Sequence, residues 1–278
     1  MTKKILVSIL FVLPVLSFAQ LPEFSLFLNG PAIQNEGKPV AHRFLREANA
    51  KYSKRIHRVI DSRMKQNKDM AWPKNPLSHV IWTAVTKGYP DMDKPKAYQN
   101  DSLASTYSTK EIIEKGSIEE IVPIAINGDP NNIRYDTVNT PFDPKEIVKF
   151  RMMEDWIFDA NYSDLRPRII AIAPIYKIKS QTGINLGEGE LFWVKMDELR
   201  PILAQQQIFN KKNDAARLSY DQWFRMRQFS SHIVKESNIY DLDIKYIEGF
   251  RDDGLAALME SDRIKNDLFI TEHDLWEY

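Results

Sequence analysis

The residues whose types and spacing come nearest to chemistry are Asp155 and Asp159, four positions apart and set against Trp156 and Phe158. Read as a helix, that spacing puts both carboxylates one turn apart on a shared face. Paired carboxylates beside aromatic rings are the equipment of glycan-active clefts, where one acid donates a proton and the other serves as base or nucleophile. The same pattern arises wherever a charged surface borders a core. A glycan-active or glycan-binding protein is therefore the alternative reading of this chain.

Other catalytic patterns are missing from the sequence. No serine sits in a G-x-S-x-G turn, no G-x-x-x-x-G-K-[ST] loop could cradle phosphates, and no G-x-G-x-x-G opens a helix. The five histidines, His42, His57, His79, His232 and His273, include no H-x-x-x-H pair that would grip zinc from one helix face. Glu272, His273 and Asp274 are three adjacent potential ligands, but polar residues near a docked C-terminal tail make hydrogen bonds just as well. No catalytic residue, cofactor or metal is expected. What remains is a set of aromatic side chains beside charges: Trp156, Phe158, Trp193, Trp223 and Trp276. Aromatic and arginine side chains are the types enriched at protein interfaces. Trp156, Phe158, Trp193, Arg263 and Trp276 are accordingly the candidate interaction residues. For Arg166, Arg168 and Arg263, ion pairs with Asp155, Asp159 or Glu260 are the expected use.

The elements that must position these residues read as follows. Leu77–Lys87 is a helix, apolar at 77, 80, 81, 84 and 85 and stopped by Gly88. Ala41–Asn67 is dense in charge, and the alternation from Ile56 to Asp61 suits a strand as well as a helix. Tyr89–Ser108 is a polar, proline-containing surface connection, Thr109–Lys115 a short helix, and Ile118–Ile126 a strand interrupted at Pro123. Asn127–Pro144 carries turn residues throughout and predicts an exposed loop. Arg168–Ile175 and Glu190–Lys195 are strands, and Gly183, Gly187 and Gly189 between them suit a long hairpin loop. Asp197–Phe209 is helical. Tyr220–Val234 predicts one amphipathic helix with Tyr220, Trp223, Phe224, Met226, Phe229, Ile233 and Val234 on its apolar face. Leu255–Leu268 predicts another, with Leu255, Leu258, Met259 and Leu268 inward and a break at Ser261. The fold class is α+β, helices packed on a small, mainly antiparallel sheet.

Composition narrows the class further. The 278 residues hold 38 basic and 38 acidic side chains, 27% charged and 43% hydrophobic, an ordinary globular mixture with no excess of positive charge for nucleic acid. Lys3 and Lys4 followed by the uncharged apolar run Ile5–Phe18 and then Ser17-Phe18-Ala19 form a secretory signal peptide over 1–19, cleaved between Ala19 and Gln20. The run is shorter than the roughly 20 residues that a membrane-spanning helix needs. With no cysteine in the chain, there is neither a disulfide framework nor a lipid-bearing Cys after the cleavage point. The expected organisation is an extended arm over 20–40 and a single α+β domain over 41–278, with a division into lobes at about 41–145 and 146–278 left open.

Seven blocks in order carry a resemblance. Glu154-Asp155-Trp156-Ile157-Phe158-Asp159 matches E-D-W-x-F-D. Arg168-Ile169-Ile170-Ala171-Ile172-Ala173-Pro174 matches R-I-x-G-I-A-P with Ala171 in place of glycine, and Glu190-Leu191-Phe192-Trp193 matches E-L-F-W. Phe209-Asn210 with Asn213-Asp214-Ala215, Lys235–Asp241, Leu258–Lys265 and Glu272–Glu277 continue it, joined in the N-terminal half by Arg58-Val59-Ile60-Asp61 with Arg63, Lys65 and Asn67. In these the chain resembles the GldN/PorN family, the N subunit of the gliding-motility and type IX secretion machinery of Bacteroidota, over roughly 41–277. The resemblance implies a non-enzymatic subunit of a periplasmic ring. It would be held at the outer membrane by the lipoprotein K subunit (GldK/PorK-like) and would touch the periplasmic part of the M subunit (GldM/PorM-like) of the motor. No catalytic or cofactor residue is carried over with it. Self-association in a ring would need two different contact surfaces, because a head-to-tail contact does not face itself.

Overall fold

The block KFRMMEDWIFD sits at the centre of the molecule as a strand, Lys149–Asp159. Several of its residues favour helices, but Trp156, Ile157 and Phe158 favour pleated structure, and neighbours on both sides pair it along its length. The helical reading of Asp155 and Asp159 is thereby corrected. The computed structural model describes residues 37–125, 133–179, 185–211, 213, 217–251 and 253–277. The signal segment with Ala19 and Gln20, the arm up to residue 36, and Gly183 lie outside them.

In chain order the strands are β1 (Ala50–Asp61), β2 (Ala97–Tyr98), β3 (Ile118–Ala125), β4 (Ile133–Thr140), β5 (Lys149–Asp159), β6 (Asp164–Lys179), β7 (Asn185–Glu190), β8 (Trp193–Lys195), β9 (Gln207–Ile208), β10 (Leu218–Ser219) and β11 (His232–Glu236). The helices are α1 (Leu77–Thr86), α2 (Thr109–Gly116), α3 (Met196–Gln205), α4 (Tyr220–Arg225) and α5 (Gly254–Asp274). One seven-stranded sheet runs β11-β1-β5-β6-β8-β2, with β7 also on β6, and every pairing in it is antiparallel. Together with the five helices this is an α+β fold. Asn35–Tyr278 forms one compact unit.

The larger core cluster joins Ile60, Phe150, Met152, Ile172 and Val194 of the sheet to α1, α3 and α4, with Trp223 and Tyr220 wholly buried at its centre. A second cluster unites Ile56, Phe158 and Ile233 with Ile264 and Leu268 of α5, and a third gathers Tyr98, Met153, Ala171, Ala173 and Trp193. In β1 the five consecutive residues from Ile56 to Ile60 are buried. Side chains on a strand alternate between faces, so both faces of the sheet are covered there.

Several elements depart from the sequence expectations for identifiable reasons. Tyr220–Val234 is not one helix. Ser219 and Gln222 form a capping box that starts α4, but Arg227 adopts a left-handed backbone (φ 50°) and ends it. The β-branched pair Ile233-Val234 then enters β11, where Ile233 lies opposite Arg58. Met226, expected on the apolar face, is exposed. The proposed loop 127–144 contains β4, paired with β3 in a two-stranded hairpin; Pro123 is tolerated there because both strands are edges. The connection 89–108 contributes β2, with Ala97 and Tyr98 buried against β8. The α5 helix runs through Ser261 without a break. Its buried side is Ser261, Ile264 and Leu268, whereas Leu255, Leu258 and Met259, expected inward, are exposed. By contrast α1 and α2 fall where spacing places them, Gly88 (φ 77°) following α1 in the left-handed conformation that glycine adopts without strain.

Candidate functional site

The strand geometry separates the two carboxylates that opened the question of chemistry. Four residues along a strand span about 13 Å, beyond the roughly 5–9.5 Å between the carboxyl groups of glycosidases. Each is also engaged. Arg55 grips Asp155 with two hydrogen bonds of 2.7 and 2.8 Å, and buried Asp159 accepts from the Asn161 amide at 3.0 Å. They do not meet in a cleft.

The acid to which the sequence assigns no chemistry is Glu154. It is fully buried and holds Arg227 through bonds of 2.6 and 3.1 Å, while also accepting from Trp156 Nε1 at 3.1 Å. The Arg227 guanidinium lies 5.6 Å from the Trp156 ring and 5.1 Å from the Phe229 ring. The left-handed turn that ends α4 is what brings Arg227 back over β5. Trp156, half-buried, thus belongs to a packed ion-pair assembly rather than to a free aromatic platform.

A second polar network surrounds Arg151. Its guanidinium binds Glu190 at 2.9 Å and both oxygens of Asp243, and its Nε–H donates to His57 Nδ1 at 3.4 Å. Lys235 pairs with Asp241 (2.6 Å) and Asp101 (3.4 Å) beside it. Burial pushes His57 down to about 4, with Arg151 and Lys235 adding repulsion and Asp101 and Asp243 opposing it. The ring is therefore neutral, with Nδ1 as acceptor, and it stands edge-on to Trp193 at 5.8 Å. A cavity of about 400 Å³ opens beside this network, lined in part by Arg151, Glu190, His232, Ile244 and Ala257. Its charged network supplies no nucleophile paired with a free base. The hydroxyl of Ser261, also on its wall, accepts the Ile233 N–H at 2.8 Å.

The remaining candidates divide by burial. Phe158 and Trp193 are core residues. Arg263 bridges Glu260 and Asp267 on its own helix, as expected for the first of these, whereas Arg166 pairs with Asp164 and Arg168 donates to the Arg43 carbonyl. Trp276 is 57% exposed and stacks on His273 at 5.6 Å. Glu272 accepts from the Leu165 amide at 3.1 Å, so the C-terminal segment is docked by hydrogen bonding. Among the described residues no group of three His, Asp or Glu side chains is placed to hold a metal ion, and no helix is long and apolar enough to cross a membrane.

The surface is richest in α5. Leu255, Met259 and Phe269 are all more than 60% exposed and, at 3.6 residues per turn, share the face opposite the buried Ser261–Ile264–Leu268 stripe, interrupted by Asp262 and Asn266. Leu258 and Ile270 flank them, also exposed. Sequence periodicity could not separate the two stripes, because apolar residues occur on both sides of the helix.

The structure is thus an antiparallel α+β scaffold with filled ion-pair networks and an apolar helix face turned outward. Residues 45–277 match the family described as gliding motility associated protein GldN, and the chain belongs to that family. The description names a motility role and no reaction. No curated protein matches the chain.

Proposed function

We propose that this protein is a non-enzymatic structural subunit of the periplasmic ring of the type IX secretion and gliding machinery. In that reading it is exported by the 1–19 signal, self-associates, binds the outer-membrane lipoprotein K subunit and contacts the periplasmic part of the motor's M subunit. Family membership over 45–277 carries this reading. The outward stripe of α5 supports it, since monomeric proteins rarely leave several large apolar side chains aligned on one exposed face. Without a cysteine the chain has no thiol for a lipid, and a lipidated partner supplies its attachment to the membrane.

Co-expression with the K subunit tests the proposal. The wild-type chain is expected in the membrane fraction as a heteromeric assembly. Leu255→Asp combined with Met259→Asp, and separately Trp276→Ala, are expected to reduce co-purification without lowering the melting temperature by more than a few degrees. A wild-type chain that stays free and soluble beside K, with affinity for peptidoglycan instead, would return the glycan-binding reading to first place.

A further inference from the structure

Along 164–170, β6 has a strand neighbour on one side only among the described residues. Asp164–Ile169 pair with β5 in unbroken register, and β8 joins the other side only from Ala171 onward. Residues of an antiparallel strand present their backbone groups alternately to the two sides. Leu165 directs its N–H away from β5, to Glu272. Ile169, four residues on in the same register, directs its N–H and C=O to that same open side, with Pro167 between them offering a carbonyl alone. No bond to the Ile169 amide occurs among the described residues.

A cleft of about 260 Å³ lies beside this stretch. Its rim carries Arg166, Arg200, Arg225 and Arg227, with His42; Arg166 is paired with Asp164, Arg200 with Asp221 and Arg227 with Glu154. Arg200 is held by Asp221 at 2.7 Å and also donates to the Val40 carbonyl, and Arg227 is fixed by Glu154. These two are anchored in place by existing bonds. Arg225 is exposed and has no ion-pair partner among the described residues. Pro167, Ile169, Met196 and Phe224 give the cleft an apolar floor. Burial and the neighbouring Arg200 and Arg168 push His42 down, outweighing Asp197 and Asp221, consistent with a positive local field.

We infer that the open edge of β6 and this arginine-rimmed cleft form a docking groove for an acidic, extended segment of a partner protein. Its backbone pairs with the free groups of Ile169, an apolar side chain lies on the floor, and a carboxylate reaches Arg225. Strand addition supplies affinity through main-chain bonds, and alternate side chains supply specificity. An arginine fork suits a carboxylate, and an unpaired cation on the rim favours anionic segments over neutral ones. The chemistry of the groove stands whichever assembly the chain serves.

The probe is a short acetylated and amidated peptide alternating valine and glutamate, with its valine–glutamine counterpart as control, titrated against the full mature chain by calorimetry. The glutamate peptide is expected to bind, the glutamine peptide to bind about tenfold more weakly or not at all, and affinity to fall as salt rises. Arg225→Glu is expected to weaken the glutamate peptide about tenfold with an unchanged melting temperature, and Arg225→Lys to retain most of the binding. Equal affinity for both peptides, or full binding by a folded Arg225→Glu variant, overturns the proposal. So does complete displacement by millimolar inorganic phosphate, which marks a simple anion site, or Arg225-dependent binding to phosphatidylglycerol vesicles by a chain that ignores the peptide. Deletion of 20–36 is expected to leave peptide affinity unchanged; a large gain on deletion would make the chain's own arm the occupant.

Discussion

Glu154 is the side chain whose loss the fold should feel most. It is buried, and its partner Arg227 is held in a left-handed backbone conformation that the ion pair helps to stabilise. Removing one partner of a buried pair strands the other, so Glu154→Gln is expected to lower stability by about 2–4 kcal/mol in chemical denaturation. Replacing Glu154 and Arg227 together by methionine should recover part of that loss, because no charge is then left unpaired. A double variant less stable than the single one would show that the pair is not what holds the turn. His57 sets a pH dependence. It is neutral when folded down to about pH 4, whereas its ordinary value is 6.5, so the unfolded chain takes up its proton first as acid is added. The contribution is full above pH 6.5 and drains away as the pH falls toward 4, on the order of 3 kcal/mol. His232 is shifted in the same direction, chiefly by burial. His57→Gln, which keeps an acceptor for Arg151, should flatten stability between pH 6.5 and 4. An unchanged slope would assign the acid sensitivity elsewhere.

Among the elements, β11 and α5 are joined by a hydrogen bond as well as by the packing of Ile233 with Ile264 and Leu268. Ser261 accepts the Ile233 amide where, among the described residues, β11 has no further strand beside it. Ser261→Ala leaves a buried donor unpaired, so a loss of about 1–2 kcal/mol is expected, together with faster exchange of the Ile233 amide. If exchange at Ile233 does not change, the edge is protected by packing alone. Element existence was largely legible in the sequence where local spacing decides it, as in α1 and α2, whose apolar periodicity and stops are self-contained; α3 was legible as a helix, but it ends at Gln205 rather than at Phe209, and Ile208 enters β9. It was not legible where partners decide it. The β5 block contains Lys, Arg, Met and Glu as a helix would, and becomes a strand because β1 and β6 flank it. The aromatic run from Tyr220 looks continuous at helical spacing, yet Arg227 turns the chain and hands Ile233 to β1. In the candidate site, Trp276 was found exposed as an interaction residue requires, while Phe158 and Trp193 are core; residue type alone does not distinguish an anchor from a filler. Glu154 stood out little in the sequence, since its ion-pair partner Arg227 lies 73 positions away.

At the scale of the whole molecule, the order of the sheet has a kinetic consequence. The β1 strand lies between β5 and β11, so Ile56 faces Glu154 on one side and Glu236 on the other. A chain delivered from its N-terminus, by a ribosome or through a pore, presents β1 long before either neighbour arrives. Its edge toward β5 stands open until residue 159 has emerged, and its edge toward β11 until residue 236, in the last quarter of the sequence. Pairings this distant make folding slow and leave an interval in which another strand can take β1's edge. Chains truncated before β11 should therefore aggregate, whereas those lacking only the residues after Leu275 should remain dispersed, which sedimentation of the two sets would distinguish. The strand made first is completed last, and a holding chaperone has its natural target in residues 50–61.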